Sequence, residues 1–139
     1  MRLVLDTNAA ISALLWHGTP GKLIDAAQSR TVFLFTSAPL LGELRGVLGR
    51  EKFSKQLEAR GLSAEEVFDG YAALATMVTP AIISPTIASD STDDVVLATA
   101  LAAQADGIVS GDAHLLNLKD YQGIPLLSAA EILARIPQR

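Results

Sequence analysis

Leu3-Val4-Leu5-Asp6-Thr7-Asn8 decides how the chain is read. Three apolar residues run into an aspartate and two small polar residues, and a short unbroken apolar run of this kind reads as a fully buried strand. A carboxylate at the end of such a strand is costly unless a helix N-terminus, a basic residue or a metal ion answers its charge. The arrangement returns late in the chain at Ile108-Val109-Ser110-Gly111-Asp112. Two strand-end aspartates, with further acids on the helices between them, point to one carboxylate cluster.

Outward from the first strand, residues 9–16 are apolar and alanine-rich and read as a helix opening just past Asn8. Gly18-Thr19-Pro20-Gly21 breaks it. Residues 22–29 read as a short helix, and Val32-Phe33-Leu34-Phe35 as the second strand. Ser37, with Pro39 two residues on, starts a helix in which Leu40, Leu41, Leu44, Val47 and Leu48 repeat at helical spacing. At about 100° per residue, Glu43 falls beside Leu40 and Val47 at the border of that stripe, half-buried and near the sheet. Gly42, Gly46 and Gly49 occupy the opposite face, each costing about 1 kcal/mol against alanine. Either another backbone, such as a partner subunit's, approaches there, or this is a surface helix of mediocre propensity.

Residues 51–60 form a charged helical stretch. Ser63-Ala64-Glu65-Glu66 opens another helix that runs to about Val78, with acids in its first turn and Pro80 ending it. Ile82-Ile83 reads as a short third strand and residues 85–89 as a loop. Asp90-Ser91-Thr92-Asp93-Asp94 is a third acidic helix start, with an alanine-rich body to Ala105. Ile108-Val109 is the fourth strand, 115–118 a turn or short helix and Leu126-Leu127 the fifth strand, after which Ser128 caps a last helix through Arg135. Strands alternating with helices give a three-layer α/β/α sandwich with a mainly parallel, roughly five-stranded sheet. In such open sheets ligands sit at the carboxyl ends of the strands, near the switch in strand order, where Asp6 and Asp112 both fall.

The 139 residues fit one domain, 1–139, with a sizeable core. Half are hydrophobic and 19% charged, which excludes disorder. The absence of cysteine excludes a disulfide framework and a thiolate metal site, and fits a reducing cytosol. Asp6 and Asn8 interrupt the apolar start too early for a signal peptide, and no run reaches the ~18 apolar residues of a membrane span. The expectation is a soluble, cytoplasmic protein with no membrane association. A net charge of −4 looks wrong for a nucleic-acid binder. However, Asp6, Glu43, Asp93, Asp94 and Asp112 together outweigh that whole charge, so a cluster loaded with cations leaves a phosphate-bearing substrate open.

Each acid also has a plainer explanation. Asp90, Asp93 and Asp94 suit a helix start, where acids answer free N–H groups and the dipole, and Asp90 is the one assigned to that task alone. On the wheel Asp94 lies in line with Leu97, Ala98, Leu101 and Ala105, while Asp93 lies one step round beside Leu97 and Ala100, which favours Asp94. Glu43 could pair on the surface with Arg45 for well under ~1 kcal/mol, and Asp112 could serve as a turn or cap residue. Convergence of four acids from distant segments at one end of one sheet outweighs these readings. Such a cluster cannot be both dry and fully ionised without cations, because like charges raise one another's pKa. Hard carboxylate oxygens, with no cysteine and two histidines, favour Mg²⁺ or Mn²⁺ over zinc. His17 follows Trp16 at a helix end, and His114 beside the site reads as a turn residue rather than a ligand.

"LVLDTN", "ELRGVLGREKF", "DSTDDVVLATALAAQADGIVSGD" and "LLNLKDYQGIPLLSAAEIL" together resemble the PIN domain, and within it the bacterial branch of toxins from toxin–antitoxin pairs. The resemblance covers essentially the whole chain in motif order. It implies a parallel-sheet fold and a metal-dependent ribonuclease. Its acids fall on Asp6, Glu43, Asp94 or Asp93, and Asp112, with Thr7, Asn8 and Ser110 orienting them. Ser110 stands where the family often has threonine, and Ser91 where a proline is typical. The partners implied are an RNA substrate, a small protein antitoxin and a second copy in a homodimer.

The expected chemistry is attack of an activated water on an RNA phosphodiester at a carboxylate-held site with one or two Mg²⁺ or Mn²⁺ ions. Arg45, Arg50, Lys52, Lys55 and Arg60 are candidate phosphate contacts, each of which also suits a solvated helix face. Two rivals stand beside this reading. A non-catalytic PIN-like module binding RNA or protein has no need to bear the repulsion among the acids. A phosphoacceptor domain usually wants a second acid next to the first and a lysine after a late strand, neither of which is present.

Overall fold

The computed structural model describes residues 1–15, 21–84 and 91–136. Trp16, His17, the Gly18–Pro20 break, residues 85–89 and Asp90 therefore lie outside the described residues. Their elements in order are β1 (Arg2–Leu5), α1 (Thr7–Leu15), α2 (Gly21–Gln28), β2 (Phe33–Thr36), α3 (Ala38–Leu48), α4 (Glu51–Glu58) and α5 (Ala64–Leu74). There follow β3 (Thr76–Met77), α6 (Ser91–Ala103), β4 (Gly107–Val109), α7 (Ala113–Leu116), β5 (Asp120–Tyr121), β6 (Ile124–Leu127) and α8 (Ala129–Arg135).

The sheet has the order β3-β2-β1-β4-β6-β5, and every pair is parallel except β5 with β6. β1 is central. The chain builds outward through β2 and β3, then returns to lay β4 on the other side of β1. The switch in strand order thus lies between β1 and β4, where a crevice opens beyond the strand ends.

Side chains alternate across the sheet with period two. Leu3, Leu5, Leu34, Val109 and Leu127 share one core with residues of α1, α2, α3, α5 and α8. Val4, Phe35, Ile108 and Leu126 share the other with Val96, Leu97, Ala100 and Ala103 of α6 and Leu115 of α7. This is the three-layer arrangement expected from strands apolar on both faces. Gly107 lets α8 close on the sheet, since a Cβ there would meet Ile132 Cδ1 at 3.0 Å. At Gly42 and Gly46 a Cβ would meet nothing within 4 Å, so contacts within the chain do not require glycine at either position.

The sheet has six strands where roughly five were expected, because the third lies at Thr76–Met77 instead of Ile82-Ile83 and one further strand is added. The helix expected to reach Val78 ends at Leu74 because Ala75 turns extended. Thr76, Val78 and Thr79 are β-branched and fit a strand better than a helix, so β3 forms there and Val78 N–H donates to the Thr36 carbonyl at 2.8 Å. Ile82, expected in the third strand, is fully exposed instead. The added strand is β5, paired with β6 through the Gln122-Gly123 turn, both of whose φ values are positive (49° and 84°). Two such residues make the tight turn whose twist matches a hairpin. Among the described residues no helix is long and apolar enough to cross a membrane.

Candidate functional site

Asp6 continues the ladder beyond β1, its N–H donating to the Val109 carbonyl at 3.1 Å. The residue is 5% exposed. The Ala9 N–H at the start of α1 donates to Asp6 Oδ1 at 2.7 Å, and the Ser110 hydroxyl donates to Oδ2 in a short hydrogen bond. Ser110 Oγ in turn accepts the Asp112 N–H at 2.9 Å. Asp112 caps α7 by accepting the His114 N–H at 2.7 Å on Oδ1. The ends of β1 and β4 are therefore joined across the crevice through one hydroxyl.

Burial pushes the Asp6 carboxyl above its ordinary value of 3.8, and the charges of Asp112 and Glu43 push the same way against the hydrogen bonds from Ser110 and Ala9. Asp6 thus feels acids from two other segments, those of Asp112 and Glu43. Glu43 is half-buried on α3, and its Oε2 is buried without a hydrogen-bond partner. Such an atom is costly unless it is satisfied.

Asp93 and Asp94 lie half-buried in the first turn of α6. The other end of α6 is tied to the start of β1, where Arg2 Nε donates to the Ala103 carbonyl at 2.7 Å and the guanidinium lies 4.4 Å from the Phe35 ring centroid. Nearer its N-terminus, Thr99 Oγ1 donates to the Val95 carbonyl at 2.7 Å and meets Ser37 Oγ at 2.9 Å, just past the end of β2. Thr99 is thus level with the carboxyl edge of the sheet, and the first turn of α6 projects beyond it, toward the same end as Asp6. The most buried stripe of α6 runs through Val96, Leu97, Ala100 and Ala103, while Leu101 is half-buried. At about 100° per residue Asp93 sits on that stripe and Asp94 at its margin, the reverse of the weighting drawn from the wheel alone.

Thr7 is buried at the start of α1, and Asn8 is exposed beside it. The basic candidates are exposed and mostly engaged nearby. Arg45 lies 4.0 Å from Glu65 and 4.9 Å from the Phe68 centroid, Lys55 pairs with Glu51 at 3.1 Å, and Lys52 lies 5.4 Å from the Phe53 centroid. Arg50 stands at the N-cap position of α4 without a side-chain cap bond, past the far end of α3 and about 10 Å of helical rise beyond Glu43. The Arg60 guanidinium donates to the Leu15 carbonyl.

The sequence reading missed two features of the site. Tyr71 on α5 is buried, and burial with the nearby Asp6 charge pushes its hydroxyl pKa upward, so it stays protonated. The Ser37–Thr99 pair, both residues fully buried, joins α6 to the turn before α3. A threonine inside an alanine-rich helix was the available signal for that pair, and a tyrosine on an apolar stripe gave none.

Among the described residues no three acidic or histidine side chains form a ready-made ion cage. The donors nonetheless suit a hard divalent cation: they are carboxylate oxygens, one of them buried and unsatisfied at Glu43. Asp6, Glu43, Asp112 and Asp93 or Asp94 are the residues that could hold it.

Residues 2–114 match the model of the family described as PIN domain. Among solved structures, the fold resembles VapBC2 from Rickettsia felis, crystallised bound to a DNA fragment from their promoter, with a TM-score of 0.58 and 16% identity over 91% of this chain and 97% of that one. No curated protein sequence matches the chain.

Proposed function

The chain belongs to the PIN domain family, and on that premise we propose that it is a divalent-metal-dependent ribonuclease, the toxin of a toxin–antitoxin pair. The observation that carries this is the meeting of Asp6 and Asp112 through the Ser110 hydroxyl at the β1/β4 switch, with Glu43 in the same field. Asp6, Glu43, Asp112 and one of Asp93 and Asp94 would hold Mg²⁺ or Mn²⁺. When bound, the cation supplies an activated water and neutralises charge at the phosphodiester.

The chain's own groups do the rest. Ser110 fixes the rotamer of Asp6 while orienting the Asp112 backbone, and the Ala9 N–H holds the second Asp6 oxygen. Thr7 and Asn8 place the start of α1 beside the carboxylate. Glu43, with one buried oxygen unsatisfied, has an acceptor available for a ligand bond. Arg45, Arg50, Lys52 and Lys55 would steer the RNA backbone from outside the pocket. The motif resemblance to the toxin branch, with the fold likeness to VapBC2, supports a small protein antitoxin as partner. A homodimer and a cytoplasmic setting complete the proposal.

Asp6→Asn tests it directly. The variant is expected to lose Mn²⁺-dependent RNA cleavage by about a hundredfold or more while its melting temperature stays level or rises. Cleavage at the parent's rate would remove Asp6 from the site. The lack of a ready-made cage among the described residues leaves one second reading, a non-catalytic module binding RNA or protein. Calorimetry with Mn²⁺ separates the two, since that module has no use for the ion.

A further inference from the structure

A cavity of about 620 Å³ opens between α1, the end of β4 and the starts of α7 and α8, within the usual range of small-ligand sites. It extends well past the carboxylates, since of the acids that would hold a cation only Asp112 lines it and neither Asp6 nor Glu43 does. Its polar walls come from Asn8, Ser12, Ser110, Asp112, His114 and Ser128, and small residues such as Ala9 and Ala129 fill the spaces between them. No lysine or arginine lines it, and its formal charge is the negative one of Asp112. With no basic side chain to hold a phosphate and with hydroxyls, an amide and an imidazole in its walls, the cavity suits a neutral group with a flat face and a hydrogen-bonding edge.

We propose that this cavity is a nucleoside subsite that takes the base flanking the scissile phosphate and gives cleavage a preference at that position. The inference rests on the ribonuclease reading and names where its specificity lies. Ser110 is the link: its hydroxyl bonds the Asp6 carboxylate and the Asp112 N–H, and the same residue forms the cavity wall. A unit held in the cavity is therefore adjacent to the carboxylates, where the nucleotide next to the cut must lie. His114, exposed on α7, offers a ring for stacking. The Ser12 and Ser128 hydroxyls and the Asn8 amide can read the base edge, and a site built on such bonds discriminates strongly against groups that cannot make them.

The test is cleavage of a randomised oligoribonucleotide pool by the full chain in Mn²⁺, with the cut ends sequenced. The parent should prefer one or two bases beside the cut by roughly tenfold or more, and Ser12→Leu, which fills the cavity from α1, should reduce this to within about twofold. His114→Ala should weaken the preference in the same direction, and because its side chain is exposed it carries the test if Ser12→Leu fails to fold. On a substrate abasic at that position, parent and variants should cleave alike. A preference unchanged in folded variants, or a parent that cuts every context equally, overturns the subsite. A parent that cleaves no RNA in Mn²⁺ instead overturns the ribonuclease reading, and the subsite with it.

Discussion

Asp6 is a buried carboxylate whose proton is held more tightly in the folded chain than in the unfolded one. A carboxyl with a raised folded pKa contributes stability that is complete below the ordinary value of 3.8 and is lost as pH rises through the raised value. Cation-free protein should therefore lose stability across that window, and Asp6→Asn should lack that part of the slope. Denaturant titrations at a series of pH values measure it, and identical slopes would mean the charge is not buried as described. Ser110 has two partners, so Ser110→Ala leaves the Asp6 oxygen and the Asp112 N–H without it. A loss of about 1–3 kcal/mol is expected, with Ser110→Thr restoring most of it, and urea unfolding of the three proteins decides the matter.

Helix α6 shows how an element aims a side chain that its sequence leaves ambiguous. Its direction is set by Arg2 gripping the Ala103 carbonyl at one end and by the Ser37–Thr99 pair nearer the other. Ser37 was legible as a helix start and does occupy the cap position of α3, but its hydroxyl goes to Thr99 instead of a free N–H of α3. The buried stripe of α6 points to Asp93 over Asp94. Asp93→Asn is accordingly expected to reduce Mn²⁺-dependent cleavage by about tenfold or more and Asp94→Asn by less, measured as kcat/KM on one RNA. Equal indifference to both substitutions would take α6 out of the site. Ser63 and Ser128 cap α5 and α8 as their sequences foretell, the latter in a reciprocal box with Glu131.

For the whole molecule, the decisive fact is that β1 is central and the strand order reverses beside it. That order brings Asp6 and Asp112, far apart in sequence, to one edge of the sheet, where the charges of Asp112 and Glu43 act on Asp6, and in the proposed function this repulsion is what a cation relieves. Mn²⁺ should then raise the melting temperature of the parent, by about 2.7 kcal/mol of stability at a hundredfold excess over Kd, with EDTA reversing the gain. Asp6→Asn should show little of it. An equal shift in both proteins would locate the ion elsewhere.

The apolar runs ending in Asp6 and Ser110-Gly111-Asp112 were enough to give an α/β sandwich and to put both aspartates at strand ends, because a strand buried on both faces has few other places to be. Helix periodicity likewise carried the half-burial of Glu43. Local pattern did not reveal the sixth strand, since two-residue strands such as Thr76–Met77 and Asp120–Tyr121 acquire their identity only from a neighbour that pairs with them. Nor could it show the Ser110 bridge, the Ser37–Thr99 pair, or the face of α6 that meets the sheet. Those depend on distances between residues 62 to 104 positions apart in the chain, and packing alone sets such distances.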